Sequence, residues 1–251
     1  MAVIWYDTVD STNAEVLRRA DELDNLSVIA AREQTAGRGQ RGNTWTSAPG
    51  ENLTFSVLLR HPAGFPPSAL IRVNWLAAVS VRDFLRSEGV EAVIKWPNDI
   101  YVGRRKICGI LIENRTRSDR ESLSVIGIGL NLNQTEFPSS LPNPTSFRLL
   151  TGRTLDLPTA LERFMACFVI STERSEWRNL SSDSLYARYA DGLFQAGIPC
   201  PYRDLRTGEV FTGTIRGIDD IGRLRVASVI SSGGEAEVEK SYGFKDIGYI
   251  L

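Results

Sequence analysis

The apolar positions of this chain change period several times, and each change predicts an element. Ala2-Val3-Ile4-Trp5-Tyr6 reads as a strand, and Thr12-Asn13-Ala14-Glu15 has capping-box spacing. Ala14, Leu17, Ala20 and Leu23 then recur at helical period, which predicts a helix over about 13–25. Val28–Ala31 is a short buried strand by composition. It empties into a loop over 34–47 in which no apolar period exists. Leu53–Leu59 alternates like a central strand, and a long helix over about 69–87 turns Trp75, Ala78, Val79 and Leu85 inward and ends before Gly89. Val93–Trp96 is a strand halted by Pro97. Residues 100–106, 107–113 and 123–132 read as a hairpin with a further strand alongside. Strands outnumber crossovers, so an α+β fold is expected, a mixed sheet backed by helices.

The second half is patterned differently. Residues 134–158 are turn-rich, with prolines at 138, 142, 144 and 158. Helices are predicted over about 158–174 and 182–191. Beyond Gly197-Ile198-Pro199 no helical period survives, and short apolar runs alternate with glycine and Asp219-Asp220. That change divides the chain into a domain over 1–196 and a small one over 197–251, whose many short strands fit a small barrel.

With 251 residues, 42% hydrophobic and 24% charged, the composition is that of a globular protein. The net charge of −1 offers no overall positive field to a nucleic-acid backbone, so no nucleic-acid partner is expected. No apolar run reaches the ~20 residues that span a bilayer, and no leader pattern opens the chain, so no membrane role and a cytoplasmic location are expected. Cys108, Cys167 and Cys200 lie too far apart for a CxxC pair or a Cys/His zinc cluster; they point to buried thiols in a reducing compartment, and no metal-ligating cluster is expected. The single histidine, His61, lies in the turn-like stretch Arg60-His61-Pro62-Ala63-Gly64 and reads as a solvated loop residue.

Gly37-x-Gly39-x-x-Gly42 satisfies the dinucleotide-binding pattern formally, but a strand rather than a helix follows it and no acidic residue stands near position 60. A nicotinamide cofactor is therefore rejected, and no Gly-Lys-Ser/Thr marks a Walker loop. With Arg38 and Arg41 between its glycines, the segment still suits an anion, because glycines let backbone N–H groups approach closely and the guanidiniums add charge. Only four of the 29 basic residues are lysines. Lys95 interrupts an apolar strand end, where burying its stem is costly unless something compensates the charge. Lys106 opens the next strand. Two lysines bracketing Pro97-Asn98-Asp99 fit a phosphate or carboxylate site.

Four blocks then resemble the biotin protein ligases in order: Asp10-Ser11-Thr12-Asn13; Gln34 to Ser47 with its Gly-Arg-Gly-Gln-Arg-Gly-Asn core; Lys95-Trp96-Pro97-Asn98-Asp99 with Lys106-Ile107-Cys108-Gly109-Ile110-Leu111-Ile112-Glu113; and Gly127 to Asn133. The resemblance covers the whole chain. It implies a catalytic domain related to class II aminoacyl-tRNA synthetases and lipoate ligases, followed by an SH3-like barrel. The implied reaction joins biotin to ATP as biotinyl-5′-AMP, with Mg2+, and passes biotin to one lysine of a biotin carboxyl carrier protein. Because the first block begins at residue 10, the implied type is a ligase without an N-terminal DNA-binding domain, acting as a monomer or homodimer.

The resemblance also assigns residues. Ser11, Thr12 and Gln34 contact the biotin ureido ring or its surroundings, with Asn13 beside them. Arg38 and the loop backbone through Gly37, Gly39, Gln40, Arg41 and Gly42 close over carboxylate and phosphates. Trp45 packs on the adenylate side; Asn98 and Asp99 lie at the adenylate and metal side, and Lys95 belongs to the binding set. Lys106 holds the biotin carboxyl oxygen and the α-phosphate, Gly109 and Ile110 line the tunnel for the biotin tail, and Asn131 belongs to the binding set. Lys106, Arg38 and Asp99 are the implied catalytic residues, Asp99 orienting or deprotonating the incoming amine. The chain departs from the arginine-rich loop of many bacterial members at Gln40 and Asn43, which predicts weaker retention of the adenylate. A lipoate or octanoate ligase or transferase of the same fold, and a non-catalytic carrier-protein or nucleic-acid binding module using the C-terminal barrel, stay open as alternatives.

Overall fold

The computed structural model describes residues 2–117, 120–173, 184–230 and 236–251. β1 (Val3–Val9), α1 (Thr12–Arg18), β2 (Val28–Gln34) and β3 (Leu53–Arg60) come first, followed by α2 (Ile71–Ser87), β4 (Val93–Lys95), β5 (Asp99–Val102), β6 (Arg105–Arg117) and β7 (Arg120–Leu130). Those strands form one seven-stranded sheet in the order β1-β2-β3-β7-β6-β5-β4. Only β1 and β2 run parallel, so the sheet is mixed, as the pattern predicts. Then follow α3 (Phe147–Thr151), α4 (Leu157–Glu173) and α5 (Ser184–Asp191).

Alternation along the central strands sorts the core. Phe55, Val57 and Leu59 face α2 and α4, where Phe55 and Phe84 both pack edge-on against Phe164. On the opposite face, Leu58, Val125, Leu123 and Ile29 lie under α1 with Val16, Ala20 and Leu23. α1 is shorter than its apolar period predicts. It ends at Arg18, and Leu23 still reaches the core from a turn. The capping box is also absent: Ser11 is the N-cap and makes no side-chain cap bond, while the Glu15 carboxylate accepts from the Tyr6 hydroxyl and Arg18. A seven-residue helix leaves much of that sheet face uncovered, and the uncovered part is where the chemistry gathers.

His61 overturns its expectation. It is buried, stacked on Phe65 with centroids 4.5 Å apart and hydrogen-bonded through Nε2 to Ser124 Oγ at 2.8 Å. Its turn continues the pairing of β3 with β7, His61 N donating to Ser122 O at 2.9 Å, instead of projecting. Within the turn-rich stretch, α3 is a helix the pattern did not reveal, capped by Ser146 at its start and by left-handed Gly152 at its end.

The C-terminal strands are β8 (Pro199–Asp204), β9 (Val210–Ile218), β10 (Leu224–Ile230), β11 (Ala236–Tyr242) and β12 (Ile247–Tyr249). They form an open sheet in the order β11-β10-β9-β8-β12, so the expected SH3-like barrel is not formed. Closure would require β12 to bridge to β11. β12 has only three residues, pairs with β8 alone, and lies against the large sheet, with Ile247, Gly248 and Tyr249 at the cavity described below. Trp96 fixes the two sheets together by donating to Gly222 O at 2.9 Å.

Candidate active site

Strand register places the site in rows across the large sheet. Thr54 of β3 pairs with Gly129 of β7, Gly129 with Gly109 of β6, Gly109 with Asp99 of β5, and Asp99 with Lys95 of β4. The next row runs Ser56, Gly127, Leu111. Three glycines at the middle of these rows make a floor without side chains, one strand spacing of ~4.8 Å between neighbours. A cavity of about 260 Å3 stands on this floor.

One wall of the cavity is neutral and buried. Ser11, Thr12 and Asn13, at the start of α1, are each less than 5% exposed. Gln34 Oε1 accepts from the Thr12 backbone at 2.8 Å and from its hydroxyl at 3.1 Å. Ser56 Oγ lies 2.7 Å from Thr12 Oγ1 and 2.6 Å from Asn13 Oδ1. Asn13 Nδ2 donates to Glu113 at 2.8 Å. Gly127 makes this arrangement feasible, because a Cβ there would overlap the Asn13 amide. Such a wall presents fixed hydrogen-bonding groups, which suits a neutral polar ring.

The other wall is charged. Lys106 Nζ sits 2.7 Å from Asp99 Oδ1, and Arg38 Nη2 sits 2.8 Å from Glu113 Oε2. All four side chains keep partial access to water. Lys95 is held otherwise: its Nζ lies 5.1 Å from the Tyr101 ring centroid and 4.6 Å from that of Tyr249, between β5 and the C-terminal β12. Burial pulls the Lys95 pKa below the ordinary lysine value, with Asp99 opposing that shift and Lys106 adding to it. Burial also raises the Tyr101 and Tyr249 hydroxyls. The compensation for burying Lys95 is thus two aromatic faces as well as a carboxylate.

The glycine-rich loop arches over the floor. Arg38 bridges to Thr44, Gly39 N donates to Asn43 O at 2.7 Å, and residues 40–42 form one 3-10 turn. Gly42 has φ +85°, a conformation that favours glycine. Trp45 lies on the floor itself. A Cβ at Gly129 would overlap its indole, and one at Gly109 would stand 3.1 Å from it. The indole N–H is buried with no hydrogen-bond partner among the described residues, and Lys106 Nζ stands 5.9 Å from the ring centroid.

The structure therefore brings most of the sequence-derived candidates to one cavity. Ser11, Thr12, Asn13 and Gln34 line it on the neutral side, and Arg38, Gly39, Gln40 and Trp45 from the loop. Lys95, Asn98, Asp99, Lys106, Gly109 and Ile110 line the rest. Gly37 lies outside the lining, packed under the Trp45 backbone, and Arg41 and Gly42 belong to the turn above it. Asn131 is also outside: it donates to Thr145 O at 2.9 Å and joins β7 to the segment before α3. Asn98 donates to Ile110 O at 2.6 Å, fixing the turn that carries Asp99.

Sequence reasoning missed Thr54, Gly127 and Gly129 as part of the floor, although alternation along β3 and β7 could have placed them on one face. It also missed Phe244, Ile247, Gly248 and Tyr249, which the C-terminal sheet adds to the lining; no local signal marks them.

Comparisons with known proteins find relatives by sequence and by fold. A family model described as the biotin/lipoate A/B protein ligase family matches residues 5–132. The bifunctional ligase/repressor BirA of Bacillus subtilis is 31% identical over 237 residues, covering 88% of this chain and 68% of that protein. The biotin--[acetyl-CoA-carboxylase] ligase of Mycobacterium tuberculosis is 30% identical over 222 residues, covering 85% and 79%. Among solved structures, the biotin protein ligase from Aquifex aeolicus in complex with biotin and ATP has a TM-score of 0.75 at 22% identity, covering 98% of this chain and 97% of that one.

Proposed function

Because the chain belongs to the biotin/lipoate A/B protein ligase family, we infer that it joins biotin to ATP as biotinyl-5′-AMP, releasing pyrophosphate, and transfers biotin to a lysine of a biotin carboxyl carrier protein. The observation that carries this reading is the convergence of Arg38, Lys95 and Lys106 on one cavity whose opposite wall is neutral and hydrogen-bonding.

Each wall has a task. The neutral wall at Ser11, Thr12 and Gln34 is suited to the ureido ring, which offers both N–H donors and a carbonyl acceptor. The charged wall lies where a carboxylate must approach an α-phosphate. Two anions repel there, and Lys106 with Arg38 offsets the repulsion and stabilises the charge on the transferring phosphoryl. The loop from Gly37 to Trp45 covers the site and keeps water from the acyl adenylate, which hydrolyses readily. Asp99 orients the incoming lysine amine or takes its proton in the second step.

Asp99 is the single carboxylate among the described residues lining the cavity, and the described residues hold no cluster of three metal-ligating side chains. That donor set fits Mg2+, which binds through one or two carboxylates plus substrate phosphates; Asp99 would hold it, and the ion would neutralise phosphate charge. The proposal keeps the division into a catalytic domain over 1–196 and a C-terminal domain over 197–251. It also includes a cytoplasmic setting, in which the free thiols of Cys108, Cys167 and Cys200 persist. No described helix is long and apolar enough to cross a membrane.

The test is mass spectrometry of a carrier domain incubated with this protein, biotin and MgATP. One biotin mass at one lysine, absent without ATP, is expected. Equal use of lipoate in competition, or labelling without ATP, would overturn the assignment.

A further inference from the structure

Glu113 stands where the two walls meet. By strand alternation it shares a face of β6 with Gly109 and Leu111, one step beyond the cavity lining. Its Oε2 accepts from Asn13 Nδ2 and from Arg38 Nη2, both at 2.8 Å. Asn13 in turn contacts Ser56, and Ser56 contacts Thr12, which is bonded to Gln34. One continuous chain of hydrogen bonds thus runs from the neutral wall through Glu113 to the first arginine of the glycine-rich loop.

We propose that Glu113 is a positioning residue: it anchors Arg38 through one N–H of the guanidinium and so presents the cation to the carboxylate or phosphate in the cavity. The inference rests on the ligase reading and adds to it a residue that acts through Arg38. A loop otherwise held by a few backbone bonds loses conformational entropy on closing. An anchor made before the ligand arrives removes part of that cost at binding. Because Asn13 is the second donor to the same oxygen, the loop anchor is referenced to the wall that receives the ureido ring, and the distance between the two ends of biotin is built into the site.

The effect must depend on ligand charge, because Arg38 has nothing to gain from a neutral tail. The experiment measures by calorimetry the affinity of the full chain for biotin and for biotin amide, whose tail is uncharged, in wild type, E113A and E113Q. E113A is expected to weaken biotin binding about fivefold, the scale of a half-exposed ion pair, and biotin amide clearly less, through the Asn13 contact alone. E113Q keeps an acceptor oxygen for both donors and is expected to recover at least half of the loss. Equal loss for both ligands in E113A, or no loss for either, would overturn the positioning role while leaving the ligase reading intact. Failure of the wild type to bind either ligand would overturn the reading as well.

Discussion

The two walls of the cavity are built on opposite principles. Around Thr12, Asn13 and Ser56 the polar groups are buried and bonded to one another in a neutral network. Around Lys106, Asp99 and Arg38 the groups are charged, partly exposed and paired across short distances. A buried neutral network is rigid, because each unmade bond costs about 1–3 kcal/mol. Half-exposed ion pairs contribute little to stability, about 0–1 kcal/mol, so Lys106 can exchange Asp99 for an anion that enters. The neutral side helps hold the fold together; on the proposed reading it also receives the ring, and the charged side carries the reaction.

That contrast is open to direct attack. The largest effect is expected from K106A: adenylate formation, followed by pyrophosphate exchange, falls about a hundredfold or more, the scale of losing one preorganised charge-stabilising group, with little change in melting temperature. Exchange within a few fold of wild type would remove Lys106 from the chemistry. D99N should slow transfer from purified biotinyl-5′-AMP to the carrier by about a hundredfold, as loss of a general base does; transfer at the wild-type rate would sink the role of Asp99.

S56A probes the other wall and should do the reverse. It leaves the Thr12 and Asn13 oxygens without their buried contact and lowers stability by about 1–3 kcal/mol in denaturant titration. An unchanged midpoint would mean that the wall is not a structural network.

The pH profile is expected to report Lys95. A lysine with a lowered pKa is charged below that value and neutral above it, so the cation is lost earlier on the alkaline side than for an ordinary lysine. Exchange should therefore decline with rising pH before the usual lysine range, and K95R should remove the decline. A wild-type profile flat through that range contradicts it. The smallest change is expected from Q40R, which restores a loop cation and should cut biotinylation of bystander amines a few fold; no difference in released adenylate would show that Gln40 does not weaken retention.

Much of this was legible in the chain because it is local. The glycine spacing of 37–42, the lysines flanking Pro97-Asn98-Asp99, the α2 period and the alternation of β3 each depend on neighbours within a few residues. Where expectations failed, long-range packing had decided. His61 looks solvated by its turn, yet it is buried because that turn folds onto Ser124 and Phe65. The period over 13–25 is real, yet its last apolar residues reach the core from turns instead of a continued helix.

What the sequence determined by itself is the set of chemical groups and the elements that carry them: a mixed sheet, a glycine-rich loop with arginines, and two lysines beside a Pro-Asn-Asp turn. Only the tertiary structure decided that Thr54, Gly129, Gly109, Asp99 and Lys95 fall into one row across five strands. It also decided that the C-terminal sheet stays open, with Tyr249 of β12 over Lys95. The reason is register. Strand pairing joins residues from 4 to 75 positions apart in this row, and a shift of one residue would turn every side chain in the row to the other face.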